Sequence, residues 1–282
     1  MSTARRWLRN VVAKTLKVNG NLQLCWTPEL PIIYVSNPKA GCSTIKNSLK
    51  QAQADYYVQS GRNTFRRLAE PHLSDDCLRN NGLRSQICKE RLLISCVRNP
   101  YTRALSGYLD MVRGNRADQY PELRKGRPAS FIEHLETLSK MRPEMINSHF
   151  RPQHINLDVP NITYDATFFL ENIAALPQVL RRQLGGADLK TFAPHARGAS
   201  SEMENQYSVR ATDLVQRIYG PDFALFGYSR DLAESAKAPG AYLARGILVG
   251  NDADAVPLGP SGAADALKPE LRYRRLVEMK LI

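Results

Sequence analysis

The stretch IIYVSNPKAGCSTIKNSL, Ile32 to Leu49, restricts the fold of this chain more than any other. It opens as a β-branched apolar run and ends as a helix with Ile45 and Leu49 four residues apart. Between them lies a tight loop, Asn37-Pro38-Lys39-Ala40-Gly41-Cys42-Ser43-Thr44. Strand, small-residue loop, helix is the arrangement by which backbone N–H groups cradle an anion at a helix N-terminus. Gly41 allows close backbone approach, Ser43 and Thr44 add hydroxyl donors, and Lys39 sets a positive charge at the mouth. An ordinary strand-to-helix turn would use Gly41 in the same way. A Walker loop needs its lysine directly after the second glycine and followed by Ser or Thr. Here Lys39 precedes Gly41, so a magnesium-dependent kinase is poorly matched.

A second strand is expected over RLLISCVRN, Arg91 to Asn99. Pro100 then suits a helix start, where its missing N–H costs nothing. The helix YTRALSGYLDMVRG sets Leu105, Leu109 and Val112 on one face and stops near Gly114. Arg98 stands at the strand end and offers a two-pronged donor suited to phosphate. Ser106 follows about two turns into the helix, beside its apolar face. A surface ion pair for Arg98, and a back-bond of Ser106 to its own helix, are the structural alternatives.

Alternating strands and helices predict an α/β fold, a P-loop-like three-layer sandwich with a central, mainly parallel sheet flanked by helices. Ligands in such sheets bind beyond the carboxyl ends of the strands, where both loops fall. Downstream, residues 115–128 read as a surface loop. ASFIEHLETLSKM reads as a helix capped by Ser130, with His134 exposed, and HFRPQHINLDV as extended or irregular. NITYDATFFLENIAALPQVLRRQLG reads as strand, loop and helix, and SEMENQYSVRATDLVQRIYGPDFALFGYS as a helix followed by a short aromatic stretch. The expected organisation is a basic lead-in over 1–30, one domain over 31–230, and an Ala/Gly/Pro-rich tail over 231–282 with a short helix near Lys268 to Met279. Residues 5–18 can form a basic amphipathic helix that either caps the core or touches a membrane surface.

Lys plus Arg number 39 against 27 Asp plus Glu, a net charge of +12. That surface attracts anions, but nucleotide, nucleic acid, acidic glycan and anionic lipid all qualify. A non-enzymatic polyanion binder is therefore a second reading, and a nucleotide-dependent kinase a third. The cysteines, Cys25, Cys42, Cys77, Cys88 and Cys96, are odd in number and contain no CxxC, so neither a metal site nor a disulfide framework is expected. No continuous apolar run of ~18 residues occurs, and no signal peptide is read. The expectation is a cytoplasmic protein.

NPKAGCSTIKNSL resembles the 5′-phosphosulfate loop of sulfotransferases, and LLISCVRNPYTRALSGYLD resembles their 3′-phosphate strand and helix. EPHLS, SHFRPQ, ITYDATFFLENI and YGPDFALFGYS follow in the order found in sulfotransferase family 2, the carbohydrate sulfotransferases of the chondroitin and dermatan type. The resemblance covers Pro31 to Ser229; Phe150 departs from it, standing where the family has Trp. It implies transfer of a sulfonate from 3′-phosphoadenosine 5′-phosphosulfate to a carbohydrate hydroxyl, with no metal and no nucleic-acid partner. Lys39, Ala40, Gly41, Cys42, Ser43 and Thr44 would hold the 5′ end of the donor, with Lys39 stabilising the leaving group. Arg98 and Ser106 would grip the 3′-phosphate, and Arg197, Ser200 and Ser201 would add later contacts. A general base working near neutral pH suits His. His72 is the first candidate, His149 the second, and Glu70 and Asp75 flank His72 as orienter or substitute.

Overall fold

The computed structural model describes residues 22–26, 32–59, 91–113, 124–125, 127–159, 162–181 and 199–250. Its strands are β1 (Gln23–Trp26), β2 (Ile32–Ser36), β3 (Leu92–Val97), β4 (Arg124–Lys125), β5 (Arg127–Pro128), β6 (Ala166–Phe169), β7 (Tyr242–Ala244) and β8 (Ile247–Val249). The α-helices are α1 (Cys42–Gln59), α2 (Pro100–Met111), α3 (Phe131–Ser139), α4 (Gln153–Asn156), α5 (Ala175–Arg181), α6 (Ala199–Gln206), α7 (Val209–Ile218) and α8 (Gly220–Phe226).

The main sheet has the order β1-β2-β3-β6-β7-β8. Its centre is parallel: Ile32 stands opposite Leu92, and Ile94 opposite Ala166. Antiparallel strands close both sides, β1 on β2 and the β7–β8 hairpin on β6. The chain is thus an α/β sandwich with a parallel heart.

Period-two alternation sends successive side chains of each strand to opposite layers. Val35, Val97, Phe169 and Leu243 join one core with residues of α2, α3, α7 and α8. Ile32, Tyr34, Ile94, Cys96, Ala166, Phe168 and Tyr242 join the other, against Ile45, Leu49 and Ala52 of α1 and Leu176 of α5. Ile45 and Leu49 are both buried, which stabilises the docking of α1 by roughly 1.5–3 kcal/mol apiece. On α2 the expected apolar face survives only in part: Leu105 and Val112 are buried, while Leu109 is half-exposed. That helix is enclosed nearly all round.

Several expectations change. The expected boundaries cut through the sheet, since β1 precedes residue 31 and β7–β8 follow residue 230. HFRPQHINLDV is not wholly extended or irregular, for α4 forms within it. The aromatic stretch YGPDFALFGYS contains α8, with Pro221 in its first turn and Gly227 left-handed at its end. The expected 115–128 loop carries the small β4–β5 ribbon. Ser130 does cap α3, in a reciprocal capping box with Glu133. The basic stretch 5–18 and the helix expected near 268–279 lie outside the described residues. Among the described residues no helix is long and apolar enough to cross a membrane.

Candidate functional site

Strands β2, β3 and β6 run parallel, so their carboxyl ends lie along one edge. From that edge leave the loop 37–41, Arg98 with Asn99, and the turn Leu170–Asn172. The site is assembled where these three meet.

The loop is wound tightly. Lys39 has φ 67° and Gly41 φ 74°, both left-handed, with Ala40 between them. A non-glycine residue held there is costly and persists where the surroundings over-determine it. At Gly41 an added Cβ would fall 2.6 Å from Leu170 Cδ1, the end of a side chain that can shift, so it is the left-handed conformation that demands glycine. Cys42, a free thiol, opens α1, followed by half-buried Ser43 and buried Thr44. The N–H groups of this first turn carry the partial positive charge of a helix N-terminus.

Side chains from several segments secure the loop. Asn37, fully buried, donates from Nδ2 to Cys96 O at 3.0 Å and to Gln153 Oε1 at 3.0 Å. Arg98 donates through Nη1 to Lys39 O at 3.4 Å and through Nε to Thr102 Oγ1 at 3.0 Å. Arg103, also buried, donates from Nε to Pro38 O at 3.0 Å. Its other nitrogens reach Arg151 O at 2.9 Å and Ser148 O at 3.2 Å. The Lys39 ammonium pairs with the Asp110 carboxylate.

The spacing on α2 explains why one helix meets the loop so often. Arg103, Ser106 and Asp110 are three and four residues apart, so they share one stripe. Arg103 and Asp110 both touch the loop, and Ser106 lies between them, half-exposed. Gly107 beside it lets the chain at 149–150 pack closely. An added Cβ there would meet Phe150 Cε1 at 2.9 Å and His149 O at 3.4 Å. His149 therefore lies over the same helix. Its ring Nδ1 and its backbone N–H both face Asn147 Oδ1, at 2.9 and 3.0 Å. An acceptor oxygen at Nδ1 places the ring proton there and leaves Nε2 as the basic nitrogen.

Gln153 joins the pieces. Its Oε1 accepts from Asn37 Nδ2 and from the Arg98 N–H at 3.0 Å, and its Nε2 donates to Arg98 O at 2.8 Å. The buried Asp222 carboxylate accepts from the Gln153 N–H at 2.7 Å and the His154 N–H at 3.0 Å, and faces His154 Nδ1 at 2.6 Å. Glu171 accepts from the Asn99 N–H and the Tyr228 hydroxyl, each at 2.8 Å. Burial pushes the Glu171 carboxyl up from its ordinary value, opposed by those donors and by Arg98. Burial likewise pulls the Arg98 guanidinium down, and the Glu171 charge works the other way.

Of the sequence candidates, the whole loop Lys39–Thr44, Arg98, Ser106 and His149 gather at this edge. His72, with Glu70 and Asp75, and Arg197 lie outside the described residues. Ser200 and Ser201 belong to α6, whose neighbour Tyr207 donates its hydroxyl to Tyr101 O at 2.8 Å on α2. His134 is not exposed: it is 2 % accessible, packed on Phe150 and Tyr108, with Nε2 unpartnered. Sequence reasoning gave no role to Asn37, Arg103, Asp110, Gln153, Glu171 or Asp222. Each sits inside a quoted motif, and that position was the available signal.

The arrangement can hold an anion at the loop and a second anion at Arg98. A family model described as "Sulfotransferase family" matches residues 23–229. No curated protein and no solved structure matches the chain. The match takes in β1 through α8, and with them the loop, Arg98 and the segments that hold both in place, so the chain belongs to the sulfotransferase family.

Proposed function

We propose that this sulfotransferase takes its sulfonate from 3′-phosphoadenosine 5′-phosphosulfate and delivers it to a hydroxyl of a carbohydrate acceptor. The observation that carries the reading is the bond from Arg98 Nη1 to Lys39 O, which couples the two anion-binding elements at one sheet edge. The residue chemistry fits the donor: loop N–H groups, Lys39, Ser43 and Thr44 suit its 5′ end, and Arg98 with Ser106 suits a 3′-phosphate. When bound, the donor supplies an activated sulfonate and a bisphosphate leaving group. Lys39 and the helix N-terminus stabilise negative charge that develops beside them, the preorganised electrostatic assistance typical of group transfer. His149 Nε2 accepts the proton of the acceptor hydroxyl in this reading, with Asn147 fixing the ring. His72 stays the rival base. An acidic saccharide suits the charge of +12.

The test is magnesium-free calorimetric titration with 3′-phosphoadenosine 5′-phosphate. Wild type is expected to bind with a Kd of about 1–10 μM, and Arg98→Ala to lose about two orders of magnitude, as for a charged hydrogen-bonded contact. Binding that ignores Arg98 sinks the donor assignment.

A further inference from the structure

The cations of this site face carboxylates of the protein itself: Lys39 pairs with Asp110, and Arg98 lies in the field of Glu171. Glu171 also holds the Asn99 N–H and the Tyr228 hydroxyl, contacts that tie the strand end to the C-terminal part of the domain. Asp110 instead reaches from α2 onto the side chain at the loop's mouth. The side chains are 4 % and 13 % exposed, so water and salt screen this pair weakly.

A carboxylate on Lys39 is an anion already at the cradle. Any anion that enters must share or take the ammonium while sitting beside a like charge in a poorly solvated place. A small anion held by the loop alone has nothing to offset that repulsion. A ligand carrying a second anionic group gains a contact at Arg98, and linking the two groups makes the second contact intramolecular.

We propose that Asp110 is a specificity-determining residue of the phosphate loop. As an internal anion on Lys39 it turns away singly anchored anions, such as inorganic sulfate and adenosine 5′-phosphate, and admits ligands anchored at the loop and Arg98 together. The part concerning 3′-phosphoadenosine ligands rests on the function proposed above; the part concerning inorganic sulfate rests on the loop alone.

The experiment titrates sulfate, adenosine 5′-phosphate and 3′-phosphoadenosine 5′-phosphate into wild type, Asp110→Asn and Asp110→Glu at one ionic strength. Wild type is expected to bind sulfate no tighter than about 1 mM. Asp110→Asn is expected to tighten sulfate and adenosine 5′-phosphate by about tenfold or more, and Asp110→Glu, which keeps the charge, to stay near wild type. Loss of a merely structural contact loosens a site and does not tighten it, so the sign of the change decides. Unchanged or weakened sulfate binding in Asp110→Asn overturns the proposal, as does wild-type sulfate binding well below 1 mM, which needs no variant. If 3′-phosphoadenosine 5′-phosphate fails to bind wild type while Asp110→Asn tightens sulfate, the donor assignment falls and the internal anion stands. The reverse pattern leaves the donor assignment standing and removes the internal anion.

Discussion

His134 shows how one side chain can be misplaced by its letter and placed by its spacing. With Phe131, Leu135 and Leu138 it completes an i, i+3, i+4, i+7 stripe, the buried face of α3. Burial pulls its pKa from 6.5 down to about 4. The unfolded chain therefore takes up a proton below about pH 6.5 that the folded chain refuses until about pH 4. This contribution to stability is fully present above pH 6.5 and is lost as pH falls toward 4, by about 3 kcal/mol in all. His134→Leu should flatten that part of the unfolding free energy measured between pH 7 and 4. At pH 7 it should be no less stable than wild type, since it removes a buried nitrogen without a partner. An equal acid slope in the variant would assign the loss to other groups. Gly41 is the opposite case, legible from its letter alone, because a left-handed turn is what glycine permits.

Among the described α-helices the shortest, α4, joins distant segments. α4 is four residues long and its N-cap, Pro152, offers no side-chain bond. The first-turn N–H groups are taken by Asp222, which α8 presents from its own first turn. Through Gln153 that cap reaches Asn37 and Arg98, so a residue of α8 helps hold the anion loop without facing it. Asp222→Asn keeps the shape but replaces one acceptor oxygen by a donor that opposes an N–H. It should cost about 3 kcal/mol in a urea melt, and it should weaken 3′-phosphoadenosine 5′-phosphate binding together with stability. Full stability in that variant would show that α4 holds its place by packing alone. The motif segments containing Gln153 and Asp222 were legible as a series in the right order. The capping of α4 by Asp222 was not, since 69 residues separate Gln153 from Asp222.

For the molecule as a whole, the family match ends at residue 229 but the sheet does not. Tyr242 and Val249 fill the core under α1, and Leu243 fills the opposite one. A chain stopped after Ser229 would uncover both layers and leave β6 as an open edge, which invites pairing with other chains. We expect that truncation to lose several kcal/mol of stability and to aggregate, read as a lowered melting temperature and early elution in size exclusion. A monomeric fragment with unchanged melting would contradict it. From Asp231 onward the Ala, Gly and Pro content reads as a tail. Strands of three residues leave almost no alternation to detect.

The sequence by itself determined what is local. Ile32–Ser36 and Leu92–Val97 are strands, Gly41 is a turn, Pro100 and Ser130 start helices, and the anion-loop chemistry stands in one continuous segment. Each of these follows from backbone preference and short-range periodicity, which neighbouring residues carry in full. Only the tertiary structure decided that Lys39 meets Asp110, 71 residues away, and that Asn37 meets Gln153, 116 residues away. It also decided that His134 is buried and that both edges of the sheet are antiparallel. These are outcomes of packing between distant segments, where burial energy and polar satisfaction are settled only once the layers close.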